Sequence, residues 1–172
     1  MKQPDEPIFD KDVTTEEASE VPHRTVRGRI QSLVEEQPYG VLCVQGGGQP
    51  YGALVAFAFS EDLGNVVFAT PTATRKYRLL SECNHVALVI DNRPSKGDEL
   101  MEIEAVTVTG RSQRIERGTE FDQWAELLVA RHSYLESFVK AETCALFRVD
   151  VVRFLHVVRF QEVCQWIPNI DS

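Results

Sequence analysis

No C-x-x-C pair occurs in this chain, no H-x-x-x-H, no apolar run longer than a strand and no excess of Lys and Arg. Each absence removes a class of protein. Cys43, Cys83, Cys144 and Cys164 stand 40, 61 and 20 residues apart in apolar settings. They are therefore expected as reduced residues filling core space, not as a disulfide framework or a zinc cluster. His23, His85, His132 and His156 are as scattered, which leaves no metal motif. The apolar runs are too short to cross a bilayer. The first residues are polar and acidic and lack the apolar stretch of a secretory leader, so the expected compartment is the cytoplasm.

Charge is spread unevenly. Residues 1–20 hold seven acids against Lys2 and Lys11, so they carry −5 of the net −8 and leave −3 for the rest. Residues 1–22 are therefore expected as a flexible acidic arm, with one domain over 23–172. That domain lacks the basic excess that a phosphate backbone demands, so nucleic acid is not an expected partner. A hydrophobic fraction of 43% with 26% charged residues fits a globular domain with its own core.

What is present is mostly strand. Val26, Ile30, Leu33 and Val34 keep helical spacing ahead of Pro38. Tyr39 to Gln45 then reads as an apolar strand, Gly46 to Gly48 as a tight turn, and Tyr51 to Ser60 as the returning strand of a hairpin. The triple glycine does not open a helix, which excludes a dinucleotide-binding fingerprint. The returning strand alternates Tyr51, Ala53, Val55, Phe57 and Phe59 on one face with Gly52, Leu54, Ala56, Ala58 and Ser60 on the other. Further strands are expected at Val66 to Ala69, His85 to Asp91, Ile103 to Glu116 with a bulge or bend at Gly110, Thr143 to Val149 and Val151 to Phe160. A helix is expected over Thr119 to Leu135, continued after a break from Ser133 to Val139. Strands joined by tight turns with few helices favour an antiparallel barrel over an α/β sheet.

One turn carries chemistry. After the strand ending at Ala69, the sequence TPTATRKYRLL supplies Thr70, Thr72 and Thr74, then Arg75 and Lys76, where a helix is expected to begin near Thr72 or Ala73. Two readings stay open. A threonine here can simply cap the helix, and Arg75, Lys76 and Arg78 can form a solvated face. Against that, the helix dipole disfavours cations in a first turn, and no acid follows before Glu82. Two adjacent cations beside free backbone N–H groups suit a phosphate. Tyr51, His85, His132 and His156 are the titratable or hydroxyl candidates for catalysis, and none is singled out by a motif.

The ordered set GVLCV, PYGALVAF, G-x-V-x-F, T-x-x-x-T-R-K-x-x-x-L, N-x-V-A-L, I-D-N-R and A-V-T-V-T-G-R, over roughly Arg24 to Trp166, resembles the pyridoxamine 5'-phosphate oxidase-like, FMN-binding split-barrel family. The resemblance implies a mainly β fold with peripheral helices, a six-stranded antiparallel Greek-key split barrel. It also implies a homodimer with FMN at the subunit interface. By motif, Thr74, Arg75 and Lys76 hold the phosphate with Thr70 beside them. Leu54, Val55 and Ala56 pass the isoalloxazine ring, and Asn92, Arg93 and Arg111 supply further contacts. The R-x-H that grips the substrate phosphate in the true oxidases is missing, RFLH at Arg153 to His156 having the wrong spacing. The expected activity is FMN-dependent electron or hydride transfer with an unidentified small molecule. A non-catalytic flavin store or sensor, and a haem-binding barrel, are the alternatives.

Overall fold

The computed structural model describes residues 23–96, 99–159 and 162–168. The expected acidic arm lies outside them. Helix α1 (His23–Glu36) buries Val26, Ile30, Leu33 and Val34, the stripe that its periodicity marks. It stops ahead of Pro38, and the Arg131 guanidinium donates to the carbonyls of Val34, Glu35 and Gln37 at its open end. Strands β1 (Tyr39–Gly46) and β2 (Gln49–Phe59) form the expected hairpin. Gly47 and Gly48, with φ of 57° and 78°, take the left-handed backbone that a two-residue hairpin turn needs.

Next come β3 (Asn65–Pro71), α2 (Arg75–Glu82), β4 (His85–Asp91) and the single turn α3 (Arg93–Lys96). They are followed by β5 (Ala105–Ile115), α4 (Thr119–Arg131), α5 (Glu136–Lys140), β6 (Cys144–Val158) and β7 (Glu162–Trp166). Neighbouring strands run β3-β2-β1-β4-β5-β6, and β6 pairs back onto β3, which closes a six-stranded antiparallel barrel. Val55, Phe57, Phe68, Leu88, Val106, Phe147 and Phe154 fill its interior. On the outside, Phe121, Leu128 and Val139 of the helical segment cover Ala58, Val67, Ile115 and Leu146.

Four details differ from the sequence reading. The two closing strands are one 15-residue strand, β6, whose first half pairs with β3 and whose second half pairs with β7. Asp150 does not interrupt it, because its side chain points out to Gln113 and Arg148. The seventh strand is instead Glu162–Trp166; Phe160 falls outside the described residues. Helix α4 ends at Arg131, and Ser133–Leu135 makes a separate 3-10 turn. All four cysteines are free, but only Cys144 is buried: Cys43 lies on the outer face of β1, Cys83 caps α2 and Cys164 lies on β7. The irregularity expected at Gly110 is there: the β5–β6 register shifts between Thr109 and Gly110, with Val152 of β6 as the extra residue.

One wall of the barrel is slit. β2 and β3 pair only through Phe57 to Phe59 against Val66 to Phe68, after which β3 follows β6 alone. From Gln49 to Ala56, β2 therefore has β1 on one side and no strand on the other. Helix α2 lies beside this opening. It packs against the end of β1 at Gly46, where a Cβ would stand 2.4 Å from Leu79 Cδ2 and 2.5 Å from Glu82 Oε2.

Candidate anion and cofactor site

The turn from β3 into α2 is held by two threonines. Thr74 is the N-cap: its Oγ1 accepts from Tyr77 N at 3.2 Å and donates to Pro71 O at 2.8 Å. Thr70, fully buried, stands 3.1 Å from the same hydroxyl. Since the Thr74 hydrogen goes to Pro71, Thr70 is the donor. The helix begins at Arg75, two or three residues later than the sequence places it, because Thr74 satisfies the capping geometry and Thr72 does not.

The cap leaves backbone donors over. Tyr77 N goes to Thr74 Oγ1 and Arg78 N to Thr74 O, while no described group accepts from the N–H of Arg75 or Lys76. The side chains follow suit. Lys76 is half-buried, its ammonium has no ion-pair or hydrogen-bond partner among the described residues, and burial pushes its pKa down. Arg75 is exposed and lies over the Tyr51 ring, its Cζ 5.1 Å from the centroid. Arg78 reaches Glu82 only at 3.8 Å. Two unneutralised cations and two unpaired N–H groups thus share the first turn of α2. Their natural complement is an oxyanion.

β2 runs alongside. Val55 points into the core, Leu54 points out and is 68% exposed, and Ala56 is half-buried. The remaining expected residues are not gathered at this turn. Asn92 is buried and structural, accepting from Glu104 N at 2.8 Å. Arg93 forks onto Asp91 at 2.7 and 2.9 Å. Arg111, opposite His85 in the β4–β5 register, bonds Asn84 and His85 beyond the C-terminal end of α2.

Two neighbours of the turn escaped the sequence reading. Arg114 donates to Tyr77 Oη at 2.8 Å and lies over that ring, bringing a further cation to α2. The extra residue of the bulge is Val152 on β6, so β5 keeps its alternation and Arg114 stays on the side of Val106 and Val108, opposite Phe147; that alternation is the signal in the sequence that marks its side. Tyr51 is placed by the alternation already noted, but its stacking partner Arg75 is 24 residues away in a different element. Among the described residues no group of His, Cys, Asp and Glu is placed to hold a metal, and no helix is long and apolar enough to cross a membrane.

A six-stranded antiparallel barrel, slit along β2 and carrying an unneutralised cationic turn at the slit, defines a split-barrel protein with an anion-receptive helix start. The chain belongs to the pyridoxamine 5'-phosphate oxidase family, whose model matches residues 26–157. No curated protein sequence matches the chain. The same fold occurs in the structure of a heme binding protein from Mycobacterium smegmatis, with a TM-score of 0.71 and 16% identity over 80% of this chain and 55% of that one. It occurs in Campylobacter jejuni ChuZ, with a TM-score of 0.73 and 13% identity over 85% and 60%. A FAD-binding protein from Mesorhizobium loti follows at 0.61 and 14%, over 74% and 91%. At such identities the likeness is one of fold, and the chain spans less than two thirds of the first two structures.

Proposed function

We propose that this chain binds FMN, its phosphate at the start of α2 and its ring along the slit edge of β2, and acts as an FMN-dependent oxidoreductase on a small molecule. The observation that carries the reading is Lys76. A half-buried ammonium with no counter-charge, beside two unpaired N–H groups, is costly unless an anion completes it. Arg75 adds a fork for phosphate oxygens, while Thr70 and Thr74 shape the turn. Leu54, Val55 and Ala56 supply the backbone edge left without a strand partner on the slit side. A fold-mate that binds FAD supports a flavin. When bound, FMN supplies hydride or electron transfer; this chain binds and orients it.

Vitamin B6 oxidation is not part of the proposal. On a strand, residues three apart face opposite ways: His156 points inward to Glu104 at 3.0 Å, and Arg153 reaches Gln165 at 3.3 Å on β7. The pair cannot close on one phosphate. We also propose a homodimer whose second copy completes the cleft, an arrangement in which Arg111 is expected to reach the flavin.

Haem is the second reading, favoured by the heme binding protein of the same fold. It has less support in this chain, since His85 bonds Arg111 while His132 and His156 are buried and bonded. The purified protein is expected to show a flavin absorption spectrum that bleaches on anaerobic addition of NAD(P)H. Stable flavin without bleaching by any reductant would leave a flavin store, a Soret band on haemin titration would favour haem, and a colourless protein indifferent to both would remove the proposal.

A further inference from the structure

Helices α4 and α5, which cover the outside of the barrel, leave a groove of about 520 Å³ between them, a volume in the range of small-molecule sites. Phe121, Ala125 and Val129, one turn apart along α4, line it with Val139 of α5 and give it apolar walls. These four side chains belong to the outer core cluster or pack against it, so the floor of the groove is fixed by the fold. Ala125 and Ala130 are too short to close the space. The next row on α4, Asp122, Glu126 and Ala130, is exposed and forms the rim.

Charge on this rim is unbalanced. Three acids line the groove, Asp122, Glu126 and Glu136, against two bases, Arg117 and Lys140, so one negative charge is left over. Glu136 is neutralised by Lys140 at 2.6 Å. Arg117 is turned onto the carbonyls of Ala141 and Cys144 and lies over the Phe121 ring, its Cζ 4.2 Å from the centroid. Asp122 and Glu126 have no hydrogen-bond or ion-pair partner among the described residues. The helix dipole accounts for an acid at Asp122, in the first turn, but Glu126 stands a turn further on. Like charges four residues apart on a helix repel, so a cation set between the two carboxylates relieves them both.

We infer that this groove binds a small amphiphilic monocation, an apolar body of one or two rings carrying a protonated amine, with the body against Phe121, Ala125, Val129 and Val139 and the ammonium between Asp122 and Glu126. The apolar walls take the body out of water, and the surplus negative charge selects the sign of the head group. The inference stands apart from FMN, because the groove shares no lining residue with β2 or with the start of α2.

Three probes built on one ring system test it: 2-(2-naphthyl)ethylamine, a cation at neutral pH, 2-ethylnaphthalene, which is uncharged, and 2-naphthaleneacetate, an anion. Each is titrated by fluorescence against the full chain at low salt, where exposed charges are least screened. The amine is expected to bind most tightly and the anion least. Asp122→Asn combined with Glu126→Gln, both at exposed positions, should weaken the amine about fivefold, the worth of two exposed charge pairs, and leave the hydrocarbon unchanged. Ala130→Trp, also exposed, fills the groove and should weaken amine and hydrocarbon alike. In the wild-type protein, amide chemical shifts should move on adding the amine at Ala125, Val129 and Val139, which locates the site without any variant. Saturating FMN should leave the affinity for the amine unchanged. Failure of the amine to bind, equal affinity for the three probes, an equal effect of the double variant on amine and hydrocarbon, shifts gathered elsewhere, or displacement by FMN would overturn the assignment. A second copy of the chain seated in the groove shows up as the first of these results.

Discussion

Lys76→Met keeps the length of the side chain and removes its charge, so it separates the grip on a phosphate from everything else FMN touches. Losing one charge-assisted bond costs roughly 1.5–3 kcal/mol, or about 10- to 100-fold in affinity. With FMN at about 100 times the wild-type Kd, binding stabilises the folded protein by about 2.7 kcal/mol, and a variant that binds about 30-fold more weakly gains only about 0.9. At about 2–4 °C per kcal/mol, the FMN-induced rise in Tm should fall from roughly 5–11 °C to roughly 2–4 °C. Riboflavin, with the same ring and no phosphate, is the control: its smaller effect should be equal in the two proteins. Without ligand, the variant should melt no lower than wild type, since it loses an unpaired ammonium that burial already disfavours. Differential scanning fluorimetry with FMN and riboflavin reads all of this. A variant that keeps the full FMN shift, or that loses the riboflavin shift in equal measure, refutes the reasoning.

Thr74→Ala removes the N-cap of α2 and should cost about 1 kcal/mol of stability, read by urea unfolding, with FMN affinity falling as the turn loosens. Arg131→Met strips a donor from three carbonyls at the end of α1 and should cost roughly 1–3 kcal/mol in the same assay. Burial pushes His156 below its ordinary 6.5, although Glu104 pulls it back. Its contribution to stability is therefore complete above about pH 6.5 and is lost as pH falls through the lower folded value. Burial also pushes Glu104 up, but its bonds to Arg29 and His156 outweigh that and hold it below 4.5, so a second loss follows under still more acid conditions. His156→Gln should flatten the first decline in Tm and leave the second, and an unchanged slope would contradict the assignment.

Much of the fold is legible locally. The alternation of β2 places Val55 and Phe57 inside and Leu54 outside, and the stripe of α1 is buried as its spacing requires. Both follow from periods of 2 and 3.6 that a sequence displays openly. The closing strand was harder to read because Asp150, a polar break in an apolar run, looks like a turn until its outward partners Gln113 and Arg148 are seen. The cationic turn was also local: Thr74, Arg75 and Lys76 are consecutive, and a cap followed by cations is visible without coordinates. What no local pattern carries is a contact between distant elements. Arg75 over Tyr51, Arg114 on Tyr77 and His132 on the Phe57 carbonyl all join elements that only the folded chain brings together. Asn92 shows the converse. In the sequence the resemblance makes it a candidate flavin contact, and the structure adds what no motif shows, that its Oδ1 accepts from the backbone N–H of Glu104.

A crystal structure of the protein grown with FMN puts the central claim to its most direct test. The account expects phosphate oxygens within hydrogen-bond reach of Lys76 Nζ and the N–H groups of Arg75 and Lys76, with the ring lying along the free edge of β2. Ordered FMN whose phosphate lies elsewhere, with Lys76 still lacking a partner, would contradict it.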